Sequence, residues 1–545
     1  MGGHVGAPHP MMPGGMVTAP QPEAVEAGLD ALRAGGNAVD AAVATALVQT
    51  AVDPQMCGIA GFGAMHVYMP GQGVHTFIDF HGRAPRAARP DMWTHLLRGE
   101  SEDGFGFILE GRVNEIGYGS ITTPMTLKAL DEALRTYGTR RLESLLEPAI
   151  AYCEDGFMVR PHVSAFWNMV ATEGRAAHLE LLTTIPATRR IYLKPDGTLR
   201  GVGELLKNPD MATTYRRIAS AGVDDFYAGE LAKTIADDMA AHGGLLSIED
   251  LGACATERTD PLWGTYRGYR LATNRPPGGG LMLIEMLNIL EHFDLKALGH
   301  NSPRYIATVS EAMKIATVDK DAKVGDPRFV SVPLDELTSK AYAAPLAERI
   351  RRGEKTHVPR LGAREAADTT QVTVVDGDGN CVSMTHSLGM PSGVVTEGLG
   401  FMYNGCMAVF DPRPGRPGSI APGKSRFSSL APTIVFKDDA PFFVLGAPGG
   451  TYIAMGLLQT ILNVVEFGMD AQQAISVPRF CTTSDTISLT NRILRRTERE
   501  LQAMGYPTNR WPLSYHFAGV HGIRIVDGRL DGGADPGRDG MAMAV

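Results

Sequence analysis

Asp368-Thr369-Thr370-Gln371-Val372-Thr373-Val374-Val375 sets two hydroxyls at the mouth of a β-branched run about two-thirds of the way along the chain. Val372 to Val375 and Cys381 to His386 read as two strands, joined by the turn cluster Asp376-Gly377-Asp378-Gly379-Asn380. Closing that hairpin with Val375 opposite Cys381 puts Ser387 across from Thr369. Cross-strand partners on one face sit about 4.5–5.5 Å apart between Cβ atoms, so the two hydroxyls come within reach. A one-residue slip would separate them. A threonine hydroxyl is a poor nucleophile unless a base adjoins it, and a free N-terminal amine is such a base. That amine has an ordinary pKa of about 7.7–8.0, which suits general-base work. Cutting the chain before Thr369 would create nucleophile and base in one residue. Taken alone, a Thr-Thr pair is equally what any strand start would carry.

Downstream come Ser428-Ser429-Leu430-Ala431-Pro432-Thr433 and Gly446-Ala447-Pro448-Gly449-Gly450-Thr451. The second opens a helix whose Ile453, Leu457, Ile461 and Val464 share one apolar face. Unpaired N–H groups at such a helix start suit a phosphate or a developing oxyanion. A Walker-type phosphate loop requires Lys before its last Ser or Thr, and Gly450 stands there instead. Gly58, Gly61 and Gly63 miss the dinucleotide spacing, so nucleotide binding is not expected.

Together these segments resemble the γ-glutamyltransferase (γ-glutamyltranspeptidase) family, nearly end to end. The likeness begins with Ala34-Gly35-Gly36-Asn37-Ala38-Val39-Asp40-Ala41-Ala42-Val43-Ala44 and continues through Glu147-Pro148-Ala149-Ile150. It takes in Gly243-Gly244-Leu245-Leu246-Ser247-Ile248-Glu249-Asp250-Leu251 and Gly325-Asp326-Pro327. It closes with the Asp-Thr-Thr strand, Ser428-Ser429, Gly449-Gly450 and Ser476-Val477-Pro478-Arg479-Phe480. The resemblance implies an N-terminal-nucleophile hydrolase with an α/β, αββα four-layer sandwich. It implies a precursor that cleaves itself between Asp368 and Thr369 into residues 1–368 and 369–545, which together form one domain. Thr369 would then attack an amide, with Gly449 and Gly450 as oxyanion hole and Ser387 supporting the nucleophile. Ser428 and Ser429 match residues that contact the donor's carboxylate.

The donor pocket departs from the family pattern. Members hold the donor α-carboxylate with Arg in a strand ending Ala-Pro. Here that strand reads Asp79-Phe80-His81-Gly82-Arg83-Ala84-Pro85, which aligns His81 with the arginine. Arg83 falls two residues on, so a continuing strand would turn it to the same face. The family's ammonium site is Asn-Asn-x-Met-Asp-Asp-Phe, whereas this chain has Asn404-Gly405-Cys406-Met407-Ala408-Val409-Phe410. Cys406 and Val409 stand where an amide or carboxylate and an aspartate are expected. Gly389 lies near the place of a further asparagine. One lost charge-assisted bond is worth about 1.5–3 kcal/mol, or one to two powers of ten in affinity. The reading is therefore a self-cleaving amidohydrolase or acyltransferase whose donor bears a carboxylate but no α-amine, of oxamate or glutaryl type. The alternatives are a genuine γ-glutamyltransferase or glutathione hydrolase, and an uncleaved, silent binding paralogue.

Composition bounds the rest. The chain has 545 residues, 44% hydrophobic and 20% charged, and a net charge of −9 without a lysine or arginine block. Nucleic acid is an unexpected partner. Met1 to Val17 lacks both a basic start and a 7–15-residue apolar run, so no signal peptide is expected. No window approaches ~18 unbroken apolar residues, which argues against a membrane partner. Six scattered cysteines (Cys57, Cys153, Cys254, Cys381, Cys406, Cys481) without a C-x-x-C pair suggest reduced thiols and a cytoplasmic setting. No cofactor or metal is expected, and further pairing of the cleaved heterodimer stays open.

Val25, Leu29 and Leu32 form a helical stripe, followed by a small-residue helix from about Val39 that should pack under a sheet. A short strand pair is expected around Gly264 to Thr273, and Pro276-Pro277-Gly278-Gly279-Gly280 reads as a pocket rim or a plain loop. Residues Arg352 to Ala367 read as an irregular approach to the scissile bond. Asp411 to Lys424, with Pro412, Pro414, Pro417 and Pro422, is a lid or a stiff surface loop. His386 should point away from the face that Ser387 shares with Thr369.

Overall fold

The computed structural model describes residues 14–100, 106–171, 175–359 and 369–545. Asp368 and residues 360–367 of the irregular approach lie outside the described residues. Two sheets, of seven and six strands, face each other. In chain order their strands are β1 (Met16–Ala19), β2 (Phe62–Met69), β3 (Val74–Phe80), β4 (Glu257–Thr259), β5 (Leu262–Tyr266) and β6 (Tyr269–Thr273). Then follow β7 (Thr370–Val375), β8 (Cys381–Ser387), β9 (Thr433–Lys437), β10 (Ala440–Gly446), β11 (His521–Val526), β12 (Arg529–Ala534) and β13 (Met541–Ala544). The first sheet runs β13-β1-β7-β8-β2-β3-β4, and the second β12-β11-β10-β9-β6-β5.

Helices α1 (Pro22–Arg33) and α2 (Ala38–Val52) cover the first sheet, and α3 (Gly280–Leu290) and α4 (Ile453–Val465) the second. The fold is the expected αββα layering. It buries β7 and β8 on both faces, and every residue of each is buried. Strands with no wet face should be near-continuous in β-branched and small residues, as Thr370-Gln371-Val372-Thr373-Val374-Val375 is. Toward the end that leads to the site, the residues facing the second sheet are nonetheless polar, while Val375 and Cys381 pack with apolar residues of that sheet. Gln371 Nε2 donates to Thr373 Oγ1 (3.1 Å) and Ser383 Oγ (3.0 Å), and its Oε1 accepts from Thr385 Oγ1 (2.6 Å). Ser383 Oγ donates across to the Leu445 carbonyl of β10 (2.9 Å). With partners for these four side chains, this stretch of the seam avoids the cost of burying them unpaired.

The Gly35-Gly36-Asn37-Ala38-Val39-Asp40 motif anchors the hairpin. Asn37 caps α2 by accepting from the N–H groups of Val39 and Asp40, and Asp40 Oδ2 accepts in return from Asn37 N (2.8 Å). All fifteen residues of α2 are buried, which its alanines permit by letting neighbours approach closely. The hairpin turn then docks on this helix start: Asp376 Oδ2 accepts from Ala38 N (2.8 Å) and Asn380 Nδ2 (2.8 Å). Asp376 Oδ1 takes Asp378 N (3.0 Å) and Asn380 N (2.9 Å). Asp376→Ala strips several buried donors of their acceptor at once, at about 1–3 kcal/mol for each group left unsatisfied. Scanning calorimetry should show a clearly lowered melting temperature, and an unchanged one would mean that the turn closes without this carboxylate.

Candidate active site

The hairpin closes in the register read from the sequence. Val375 pairs with Cys381 and Thr370 with His386, so the residue before the strand meets the last residue of β8. Thr369 Oγ1 lies 3.1 Å from Ser387 Oγ, with both residues buried. Ser387 Oγ also accepts from Gly389 N (2.7 Å), which fixes its rotamer. On the opposite face, His386 Nε2 bonds Gln49 Oε1 (2.9 Å), and Gln49 Nε2 donates to Thr370 Oγ1 (3.0 Å). Burial pushes the His386 imidazole down to about 3. It is a neutral core group facing away from Ser387, as the alternation of the strand requires.

Gly446 ends β10 hard against β7: a Cβ there would fall 2.3 Å from the Gln371 amide. Gly449 and Gly450 follow in the turn into α4, both at positive φ (144° and 55°). A Cβ on Gly449 would meet Ala518 Cα at 2.5 Å, so glycine is required both for conformation and for space. The turn leads into a helix start whose N–H groups suit an oxyanion.

The other predicted residues divide into two groups. His81 Nε2 lies 2.5 Å from Ser428 Oγ, and its Nδ1 lies 3.0 Å from both Asp79 carboxylate oxygens. His81 and Ser428 are buried, and the His81 ring lies 5.8 Å from that of Phe62, the cross-strand partner of Ser387. Ser428 N donates to Pro277 O (2.9 Å), and Gly279 N to Leu430 O (2.8 Å), next to Ser429. The Pro-Gly stretch therefore braces the serine pair from behind. Cys406 is also brought in: it opens the 3-10 turn Cys406–Val409 and is buried at the same face of Gly389. Burial raises its thiol, while Arg426 alongside works the other way. Val409 ends that turn partly exposed.

Arg83 is placed elsewhere. β3 ends at Phe80, so the alternation that would have aimed Arg83 at the donor stops short of it. Its Nη2 bonds Glu257 Oε1 (2.6 Å) and Ala255 O (3.3 Å). It lines a cleft of about 430 Å³ with Asp79, Glu257, Arg275, Asp326 and Arg328. The Asp411–Lys424 segment is a pinned loop: Lys424 Nζ donates to Pro417 O (2.7 Å) and Ser419 O (2.9 Å).

Two residues of the site escaped the sequence reading. Asp79 orients His81, and only its position two residues ahead hinted at this. Arg426 is buried, with its guanidinium 4.6 Å from the Phe62 ring centre and hydrogen-bonded to Cys406. A lone arginine in a polar loop reads as a solvated charge, so no sequence signal marked it. Among the described residues no cluster of three or more His, Cys, Asp or Glu is arranged to hold a metal ion. Nor, among them, is any helix long and apolar enough to cross a membrane.

Residues 24–545 match the family model described as Gamma-glutamyltranspeptidase. The chain belongs to the gamma-glutamyltranspeptidase family. A relative named Acylase ACY 1 proenzyme, from Pseudomonas sp. (strain V22), is 37% identical over 97% of this chain and 93% of its own. A Glutathione hydrolase proenzyme from Bacillus subtilis (strain 168) is 33% identical over 97% of this chain and 91% of its own. Among solved structures, a cephalosporin acylase from Bacillus halodurans superposes with TM-score 0.87 at 29% identity, covering 99% of this chain and 98% of that one. As a gamma-glutamyltranspeptidase-family member with such relatives, the chain is an enzyme of the amidohydrolase and acyltransferase kind.

Proposed function

We propose that this family member cleaves itself before Thr369 and then hydrolyses or transfers acyl groups from a carboxylate-bearing amide that lacks an α-amine. The observation that carries the reading is the Thr369 Oγ1–Ser387 Oγ contact of 3.1 Å at the residue just before a central strand. In maturation, Thr369 Oγ attacks the Asp368 carbonyl and the C–N bond breaks, giving an ester that water then opens. Two chains result, 1–368 and 369–545, folded as one domain. In turnover, Thr369 Oγ attacks the donor carbonyl while its α-amine takes the hydroxyl proton. Gly449 and Gly450 N–H groups receive the oxyanion. Collapse expels the amine, which carries away the proton, and water or an acceptor amine releases the acyl group.

Only the deprotonated α-amine is a base, so kcat/KM should fall as pH drops through about 7.7–8.0, the ordinary range of that group. A pH–rate profile on the mature enzyme checks this, and a flat profile from pH 6 to 9 would contradict it.

The donor reading is supported by Cys406 and Val409 in the ammonium segment and by His81 and Ser428 in place of an arginine anchor. A panel of glutaryl, oxamate-type and γ-glutamyl amides tests it. We expect kcat/KM for the γ-glutamyl compound to be at least tenfold lower than for the best des-amino donor. The reverse order would favour a glutathione hydrolase, an activity that the 33% identical relative's name supports. A wild-type chain that never cleaves would favour a silent binding paralogue. The six cysteines, all buried and none in a disulfide, fit a reducing, cytoplasmic setting.

A further inference from the structure

The Gly389 turn marks a space that another residue has taken over. Gly389 sits two residues past Ser387 at φ 73°, in a connector where the family resemblance placed an asparagine. A Cβ built there would fall 2.6 Å from Cys406 Sγ, 2.9 Å from Arg426 Nη2 and 3.0 Å from the Phe62 ring. The guanidinium of Arg426 therefore fills the volume that a side chain at position 389 would enter. It does so against Cys406, which stands where an ammonium-binding side chain is expected. Phe62 lies beneath both this guanidinium and the ring of His81, at 4.6 and 5.8 Å. One ring, that of the cross-strand partner of Ser387, thus has the Arg426 guanidinium packed over it and the His81–Ser428 pair nearby, two groups suited to a carboxylate.

Two cations, Arg426 and Arg175, lie in this corner; the carboxylates near it are Asp79, already bonded to His81, and Glu115, which accepts from Ala176 N (2.7 Å). Arg175 is buried beside Ala408: a Cβ on Gly106 would meet Ala408 O at 2.8 Å and Arg175 Nη2 at 2.9 Å. Burial and the nearby Arg175 charge both work against the Arg426 cation, with Cys406 in its favour. A guanidinium stays charged in proteins and pairs with carboxylates through a planar fork. A like-charged ammonium brought to the same place meets repulsion in a poorly screened environment.

We infer that Arg426 selects the donor, binding the free carboxylate of a small dicarboxylic acid monoamide and turning away acyl groups that carry an α-ammonium. This deepens the reading of Thr369 as the nucleophile and rests on it for its catalytic meaning. The binding contrast itself needs no turnover, so the two claims fail separately.

Calorimetric titration of the mature protein with glutarate and with L-glutamate provides the test. Wild type should bind glutarate at least tenfold more tightly. Arg426→Met should weaken glutarate tenfold or more and erase the preference, while Arg426→Lys, which keeps the charge but loses the fork, should fall between. In turnover, Arg426→Met should raise KM for a glutaryl anilide with kcat changed far less. A preference that persists in Arg426→Met, or equal binding of both ligands by wild type, overturns the inference. If Arg426→Met does not fold, Cys406→Asp replaces it, since a carboxylate set against the guanidinium should also abolish the glutarate preference. Retention of the preference in that variant counts against Arg426. A wild type that binds glutarate selectively yet hydrolyses no amide would sink the nucleophile reading and leave this one standing.

Discussion

Thr369→Ala should remain one 545-residue chain and lose amide cleavage altogether. In the proposed mechanism the hydroxyl is the attacking atom both in maturation and in turnover, so one substitution should remove two reactions. Alanine keeps the strand and costs little in packing, since only a hydroxyl and a methyl leave a site beside Ser387. Fold and stability should therefore survive, which separates this loss from misfolding. Wild type on a denaturing gel should show two fragments, with Thr369 as the first residue of the shorter one. Thr369→Ser keeps a hydroxyl and should mature and turn over, though more slowly. Activity in Thr369→Ala, or a shorter fragment that starts elsewhere, would remove the basis of the mechanism.

Gly449→Ala should be nearly as damaging by another route. Its φ of 144° is a conformation that side-chain-bearing residues rarely adopt, and the new methyl would fall 2.5 Å from the Ala518 backbone. Something must move, and the turn holding the Gly449 and Gly450 N–H groups is the element that bears the strain. Removing one oxyanion donor typically costs about 10²–10³ in kcat. We expect a fall of that size in kcat with KM changed far less, because in the proposed mechanism these donors bond the tetrahedral intermediate better than the ground-state amide. A variant that loses substrate affinity but keeps kcat would place the glycines in binding rather than in transition-state stabilisation.

Much of this site was legible because hairpins have strict arithmetic. A turn cluster of five residues and two β-branched runs were enough to put Ser387 opposite Thr369, and the observed pairing of Val375 with Cys381 follows that count. The same period-two logic turned His386 to the far face. The αββα layering, by contrast, came from the family resemblance, since periodicity alone does not say which sheets stack. The reading failed to anticipate where regularity stops. Arg83 was aimed by extending a strand that ends at Phe80, and a chain leaving a sheet no longer alternates. Arg426 was invisible for a different reason: burial of a charge depends on partners such as Phe62 and Cys406, which lie 364 and 20 residues away along the chain.

The first sheet also says what kind of object the mature enzyme would be. Strand β7 is hydrogen-bonded on one side to β1 and on the other to β8, which in turn pairs with β2. After scission before Thr369, β1 and β2 belong to one polypeptide and β7, β8 and β13 to the other. The pieces are interleaved like the fingers of clasped hands, so neither can depart without tearing open the ladder at its centre. Each half made alone would present raw strand edges to its neighbours, and clumping rather than a stable half-enzyme is the outcome such edges produce.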